Sequence, residues 1–397
     1  MPCMQVILPC EMLDMLACLS EDIRAILPYR RILLENIEAY RIFKEAVNDF
    51  PSVAPLVRSL DIAKFYQQYH QELLSLLSKL HKLEHLAVEG WLFEMFSYSY
   101  QRRVGPSFAT LKTLHLKGVP WSVAEVAWLI SACPKLAALT LTRWNAASHA
   151  QPPDAIKQGP VEMHTLRIYP YLFLFPRALS QLLCGPVAIH LRQVEFPLCG
   201  CISFESRTAV IELLKLAGRD LNHCSISVGG CKDTEKQALV QKQALTFEHN
   251  PYLVSLRVRA CSIKRRDRHK CGHPRSIPWI LSLIQPMHAD LERVFITLQY
   301  FVAGNPVSLD WAQLDDVLVR MASSRPNLEI VFEIYRDGSP EAPVNWFLQV
   351  GGIFKSVLPK LLSRPTRVAI VCGEYWEEDP IFGGEIMKAV GVHRCSM

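Results

Sequence analysis

Four residues past the middle of the chain have the types needed to hold a metal ion: Cys261, His269, Cys271 and His273, in and beside the stretch SIKRRDRHKCGHPRS from Ser262 to Ser276. A structural zinc takes four ligands, usually as separated pairs of the C-x-x-C kind. The alternating His-x-Cys-x-His does not put three ligands on one helical face, and only an unusual loop would converge them. Phosphate chemistry has one near match, GGIFKS from Gly351. It lacks the Gly-x4-Gly-Lys-Ser/Thr spacing and the hydrophobic strand that must come immediately before such a loop. No G-x-S-x-G elbow, H-E-x-x-H helix or G-x-G-x-x-G turn occurs. The residues therefore predict no enzyme, no metal site and no cofactor.

Two other sets of residues have the chemistry of recognition. Lys264, Arg265, Arg266, Arg268 and Lys270 form the most charged run in the chain. Such a run serves as a nuclear-localisation signal or a patch for an acidic partner, or it is a solvated insertion between structural units. The phrase GWLFEMFSYSYQRRVGPSF brings together Trp91, Phe93, Phe96, Tyr98 and Tyr100, and Trp144 follows TLTR further on. Aromatic rings are enriched at binding hot spots, so Trp91, Phe93, Tyr98, Tyr100 and Trp144 are candidates for partner capture; the competing expectation is that most plug the core between two units.

The elements that position these residues come from one recurring phrase, L-x-x-L-x-L. Its clearest copies are LKTLHL at Leu111 and LAALTL at Leu136, separated by a turn and an amphipathic helix that stops at Cys133-Pro134. It recurs as VRSLDI at Val57, LEHLAV at Leu83, MHTLRI at Met163, LRQVEF at Leu191, LVSLRV at Leu253, LERVFI at Leu291 and LEIVFEI at Leu328. The last three positions alternate apolar and polar, as a strand with one buried face requires. Early copies fall roughly 25–30 residues apart and later ones about 30–40, the spacing of a leucine-rich strand-plus-helix repeat. Helices are predicted over Arg41–Val47, Gln71–Leu80 and Gln313–Ser323, with one ended by Gly218 and a strand after it. Arg364–Gly373 reads as the last strand. His85, His115 and His190 follow repeat leucines and are expected to face solvent or to hydrogen-bond within the array. Cys133, Cys184 and Cys261 suit small apolar positions in packed repeats.

Half of the 397 residues are hydrophobic and 20% are charged, ample for a continuous core, and the net charge of +5 demands neither nucleic acid nor lipid as partner. Thirteen irregularly spaced cysteines, with no basic n-region in the opening MPCMQVILPCEML, predict reduced thiols in the cytosol or nucleus. The most apolar stretch, Ile168 to Leu191, is interrupted by Pro170, Pro176 and Pro186, so no membrane span is expected.

The opening LPCEMLDMLACL reads as a helix that caps the first repeat, and it also resembles the start of an F-box on Leu8, Pro9, Glu11, Leu13, Leu16 and Leu19. The segment after it, with Ala54, Pro55, Val57, Arg58, Ser59 and Leu60, resembles fungal, basidiomycete-type F-box-like proteins with degenerate leucine-rich repeats. There the module runs through an arginine-rich end into a short linking strand and helix. ACPKLAALTL with Trp144 resembles the repeats of that family. The middle of the module has no counterpart, so it reads as truncated. The resemblance implies docking of Leu8, Pro9, Met12, Leu13 and Leu16 on a Skp-type adaptor, with the concave repeat face holding an unknown protein client.

The expected fold is an α/β leucine-rich-repeat-like curved solenoid, with mostly parallel strands on the concave face, helices on the convex face and a short N-terminal helical segment. Residues 1–50 are assigned to the F-box-like segment, 51–375 to the solenoid and 376–397 to a C-terminal tail. The expected function is substrate recognition for a Skp–cullin–F-box ubiquitin ligase. The alternatives are a stand-alone repeat scaffold that has lost adaptor docking and, third, a nuclear binder acting through Lys264–Lys270.

Overall fold

A computed structural model describes residues 31–34, 36–62, 70–90, 108–118, 123–144, 162–170, 189–199, 204–229, 246–260, 276–284, 288–299, 309–337 and 343–375. They fall into two compact units, one up to His190 and one from Leu191. The first contains strands β1 (Arg31–Leu34), β2 (Ser59–Ile62), β3 (His85–Glu89), β4 (Thr113–Lys117), β5 (Ala138–Trp144) and β6 (Met163–Pro170), with helices α1 (Ile37–Asp49), α2 (His70–Lys79) and α3 (Val123–Ala132). The second contains β7 (Ile189–Cys199), β8 (His223–Gly229), β9 (Ser255–Ala260), β10 (Arg293–Gln299), β11 (Glu329–Asp337) and β12 (Arg367–Tyr375). Its helices are α4 (Phe204–Ala217), α5 (Ser276–Ser282), α6 (Trp311–Ser324), α7 (Pro343–Val357) and α8 (Pro359–Leu362).

Within each unit every strand pairs parallel with the next in sequence. Ser59, His85, Thr113, Ala138 and Thr165 stand opposite one another in the first unit, and Gln193, His223, Ser255, Arg293, Glu329 and Arg367 in the second. The order follows from the phrase itself. Its leucines repeat one buried stripe, and a short strand with one apolar face is stable only when the next copy extends the stripe. Leu60, Leu86, Leu114, Leu139 and Leu166 form that stripe in the first unit, Val194, Cys224, Leu256, Val294 and Ile330 in the second, all buried. This is an α/β leucine-rich-repeat-like fold. β1, the short strand implied before the first helix, pairs with β2 and so belongs to the same parallel sheet.

One backbone device recurs at the starts of several strands. The carbonyl of Arg58 accepts the amides of Glu84 and His85, that of Glu84 accepts Lys112 and Thr113, and that of Lys112 accepts Ala137 and Ala138. The second unit repeats it, with Asn222 accepting Val254 and Ser255, and Val254 accepting Glu292 and Arg293. At the far end of the strands Gly90 and Gly118 donate to the carbonyls of Lys117 and Thr142. Both have positive φ, 76° and 63°, a left-handed conformation that costs an L side chain about 1–2 kcal/mol.

Helix starts are set by short polar side chains. The Asn36 side chain accepts the amide of Ala39 at α1, and Asp310 accepts that of Gln313 at α6. Asp315, buried within α6, accepts the amides of Lys360 and Leu361 and so fixes the first turn of α8. α7 is different: Gly351 and Gly352 lie in its interior, and a Cβ at either would meet nothing within 4 Å. Each glycine therefore costs helix stability with no steric reason among the described residues. Gly351→Ala and Gly352→Ala are each expected to stabilise the second unit by about 0.5–1 kcal/mol, read as a raised denaturant midpoint.

Candidate interaction surface

The strand face away from the leucine stripe carries the polar positions of the phrase. In the first unit its inner rungs are Asp61, Ala87, His115, Thr140 and Arg167, then Glu89, Lys117 and Thr142. In the second they are Glu195, Ser225, Arg257, Phe295 and Val331, then Pro197, Ser227, Arg259, Thr297 and Glu333. Many of these are buried, among them Asp61, His115, Lys117, Glu195, Thr297 and Glu333. A partner approaching this face meets the first residue of each strand, where His85, His223, Arg293 and Arg367 are exposed.

Burying charges is costly unless they are paired, and the second unit pairs them across alternate strands. Arg259 on β9 reaches past β8 to Glu195 on β7, 2.9 Å away. Arg257 lies with its guanidinium carbon 4.6 Å from the Phe295 ring centroid on β10 and ends 2.9 Å from Glu333 on β11. The other oxygen of Glu333 accepts the Thr297 hydroxyl at 2.6 Å. The result is a fixed lattice of alternating charge in which the aromatic ring supports the cation.

In the first unit Lys117 pairs with Glu89 at 3.2 Å, and the His115 ring nitrogen Nε2 is 2.9 Å from the Thr142 hydroxyl. Burial first, then the charges of Lys117 and Arg167, push the His115 imidazole from its ordinary 6.5 down to about 4. The unfolded chain therefore takes this proton more readily than the folded one. The His115 contribution to stability is present above pH 6.5 and is lost as pH falls toward 4, by at most roughly 3 kcal/mol. Urea midpoints of wild type and His115→Gln measured across that window should show the wild type losing more.

A second set of residues lies at the turn three positions before six of the phrases. Leu80, Phe108 and Cys133 hold this position in the first unit and Asn250, His288 and Arg325 in the second, all buried. In each, the carbonyl accepts the amide of the phrase's first leucine, from Leu83 to Leu328. The apolar versions fill space. The polar ones tie repeats together: Asn250 Nδ2 donates to the carbonyls of Leu214 and Gly218, both at 2.8 Å. His288 Nε2 is 2.9 Å from the Phe247 carbonyl, and Arg325 Nε donates to the His288 carbonyl at 2.9 Å. Burial holds the Arg325 guanidinium below its usual range.

The residues singled out from the sequence fall elsewhere. Leu8, Pro9, Met12, Leu13 and Leu16, the aromatics Trp91, Phe93, Tyr98 and Tyr100, and Lys264, Arg265, Arg266, Arg268 and Lys270 lie outside the described residues, as do Cys261, His269, Cys271 and His273. Trp144 is the last residue of β5, its backbone opposite Pro170 of β6 beyond a shift in register. His85 and His190 are exposed, whereas His115 is buried and hydrogen-bonded. Cys133 is fully buried and burial pushes its thiol far up, which makes it an inert packing residue. Among the described residues no three His, Cys, Asp or Glu side chains are placed to hold a metal ion, and no helix is long and apolar enough to cross a membrane. The lattice and the turn ladder were missed because each is polar residues at ordinary repeat positions; the signal available was their fixed offset from the leucines.

No protein-family model matches the chain, and no curated protein does. Among solved structures it is similar to the leucine-rich repeat-containing protein LegL7 from Legionella pneumophila, at 14% sequence identity with a TM-score of 0.45, over 83% of this chain and 97% of that one.

Proposed function

We propose that this chain is a non-catalytic protein-recognition scaffold, and that it selects substrates for a Skp–cullin–F-box ubiquitin ligase in the cytosol or nucleus. The observation that carries the first part is the repeat geometry itself. Side chains at the starts of the parallel strands are presented on fixed, neighbouring rungs, and the buried charges behind them are already paired with one another. Such a surface is pre-ordered for a partner. The second part rests on the resemblance at Leu8, Pro9, Glu11, Leu13, Leu16 and Leu19, with Met12 in the docking set. The client is held by the repeats, and the chemistry of ubiquitin transfer belongs to partner enzymes.

The test is capture of a purified Skp-type adaptor by the full-length chain and by Leu13→Asp/Leu16→Asp. Capture by the wild type and its loss in the variant support the adaptor role. Absence of capture by a folded wild-type chain removes that role and leaves a stand-alone recognition scaffold.

A further inference from the structure

The leading edge of the strands in the first unit has an unequal charge distribution. Register places Arg58, Glu84, Lys112, Ala137 and His164 on one rung, just ahead of β2 to β6, with Lys82 and Lys135 two residues earlier, in the turns that lead into β3 and β5. Neighbouring strands are about 4.8 Å apart, so these side chains form a strip across four strands. Lys79 stands beside it at the end of α2, held by Asn48. Five cations thus lie along the same edge as the carboxylate of Glu84. Glu84 is already engaged on both sides, by Arg58 at 3.1 Å and Lys112 at 2.7 Å, and the Lys112 hydrogen bond leads in holding its carboxyl below the usual range. Lys82 and Lys135 are exposed and have no ion-pair partner among the described residues. The strip stops at the exposed Glu162, one rung beyond Lys135.

The repeat does not require this. At the same edge of the second unit the exposed residues include Glu248, Asp290 and Glu292. A local excess of cations therefore answers to something outside the fold, because it raises repulsion with no gain in packing.

We propose that this edge, Arg58, Lys82, Lys112 and Lys135, binds an acidic segment of a partner protein. The proposal deepens the recognition reading above and rests on it. Glu84 favours a peptide over a nucleic acid: a carboxylate in the middle of the strip opposes a uniformly charged phosphate backbone, whereas a peptide places its acids on either side and a backbone amide at the centre. The described strip also offers no aromatic platform on which bases would stack.

The test uses the full chain and a fluorescein-labelled Glu-Glu-Gly repeat peptide, with binding read by fluorescence anisotropy at low ionic strength. Saturable binding is expected, weakened by added salt, and at least about tenfold weaker in Lys82→Glu/Lys135→Glu. Lys355→Glu, an exposed reversal on α7, should bind as wild type does. All three substituted residues are exposed, so unchanged circular dichroism and melting temperature verify the fold. No saturable binding by the folded wild type overturns the proposal. So does equal weakening by Lys355→Glu, which would mean a non-specific charge effect, or tighter binding of an oligothymidine lost in the same double variant, which would mean a nucleic-acid surface. Adaptor capture is read separately, so a chain that captures the adaptor but ignores the peptide refutes this edge without touching the adaptor role.

Discussion

Glu195→Ala is expected to destabilise the second unit by roughly 3–5 kcal/mol, a large share of the stability of an ordinary domain. The cost arises from what stays behind. The Arg259 side chain is 12% exposed and the Glu195 side chain 5%, so removing the carboxylate leaves a guanidinium among buried neighbours with its ion-pair partner gone. A charge in that position loses the Glu195 carboxylate and gains little hydration in its place. The diagnostic is a second variant, Glu195→Leu/Arg259→Met, which removes both charges and keeps volume. It should recover most of the loss, since a buried ion pair seldom contributes more than a well-packed apolar pair. Guanidinium midpoints of the three chains decide it. Equal midpoints for wild type and Glu195→Ala would mean that the Arg259 charge is solvated after all. The Arg257–Glu333 pair offers an internal comparison. Arg257 is 28% exposed, so water can replace its counter-ion, and Glu333→Ala should cost less.

Asn250→Ala should cost roughly 2–4 kcal/mol, on the scale of two lost hydrogen bonds that leave one buried and one part-buried acceptor unsatisfied. The two acceptors are the carbonyls of Leu214 and Gly218 at the end of α4, and helix ends leave such carbonyls without partners unless something caps them. Asn250 is fully buried, so water cannot simply take its place. Hydrogen exchange gives the specific readout. Amides in the last turns of α4 and at the start of β9 should exchange faster in the variant, while those of β11 and β12 keep their protection, because repeats transmit instability mainly to neighbours. Cys133→Ala, at the same turn position in the first unit, removes only packing atoms and should have the smaller effect. If the two substitutions proved equal, the polar ladder would contribute no more than volume.

The repeat was readable because leucines at fixed offsets record burial directly. All nine L-x-x-L-x-L phrases lie on β2 to β7 and β9 to β11, and the strand foreseen after Gly218 is β8. Helices foreseen at Arg41–Val47, Gln71–Leu80 and Gln313–Ser323 are α1, α2 and α6, each within a few residues; cap geometry moved the ends, with Asn36 starting α1 earlier and Asp310 starting α6 earlier. Histidine positions were less legible. His85 and His115 occupy successive strands of the same phrase, two residues apart within it, yet one is exposed and the other buried beside Thr142. Depth along the strand decides between them, and the pattern of apolar residues does not encode it.

The sequence by itself therefore determined the strands, their order and the absence of a catalytic motif, since these depend on periodicity and on local residue types. Only the tertiary structure decided which polar residues meet. Arg257 and Glu333 are 76 positions apart, and nothing local distinguishes them from solvated charges. They become partners because parallel register puts every second strand within reach of a long side chain, and because burial there makes an unpaired charge too costly to leave. The same holds for the basic edge: Arg58, Lys82, Lys112 and Lys135 are scattered lysines and arginines in the chain, and stacking of repeats brings them onto one strip.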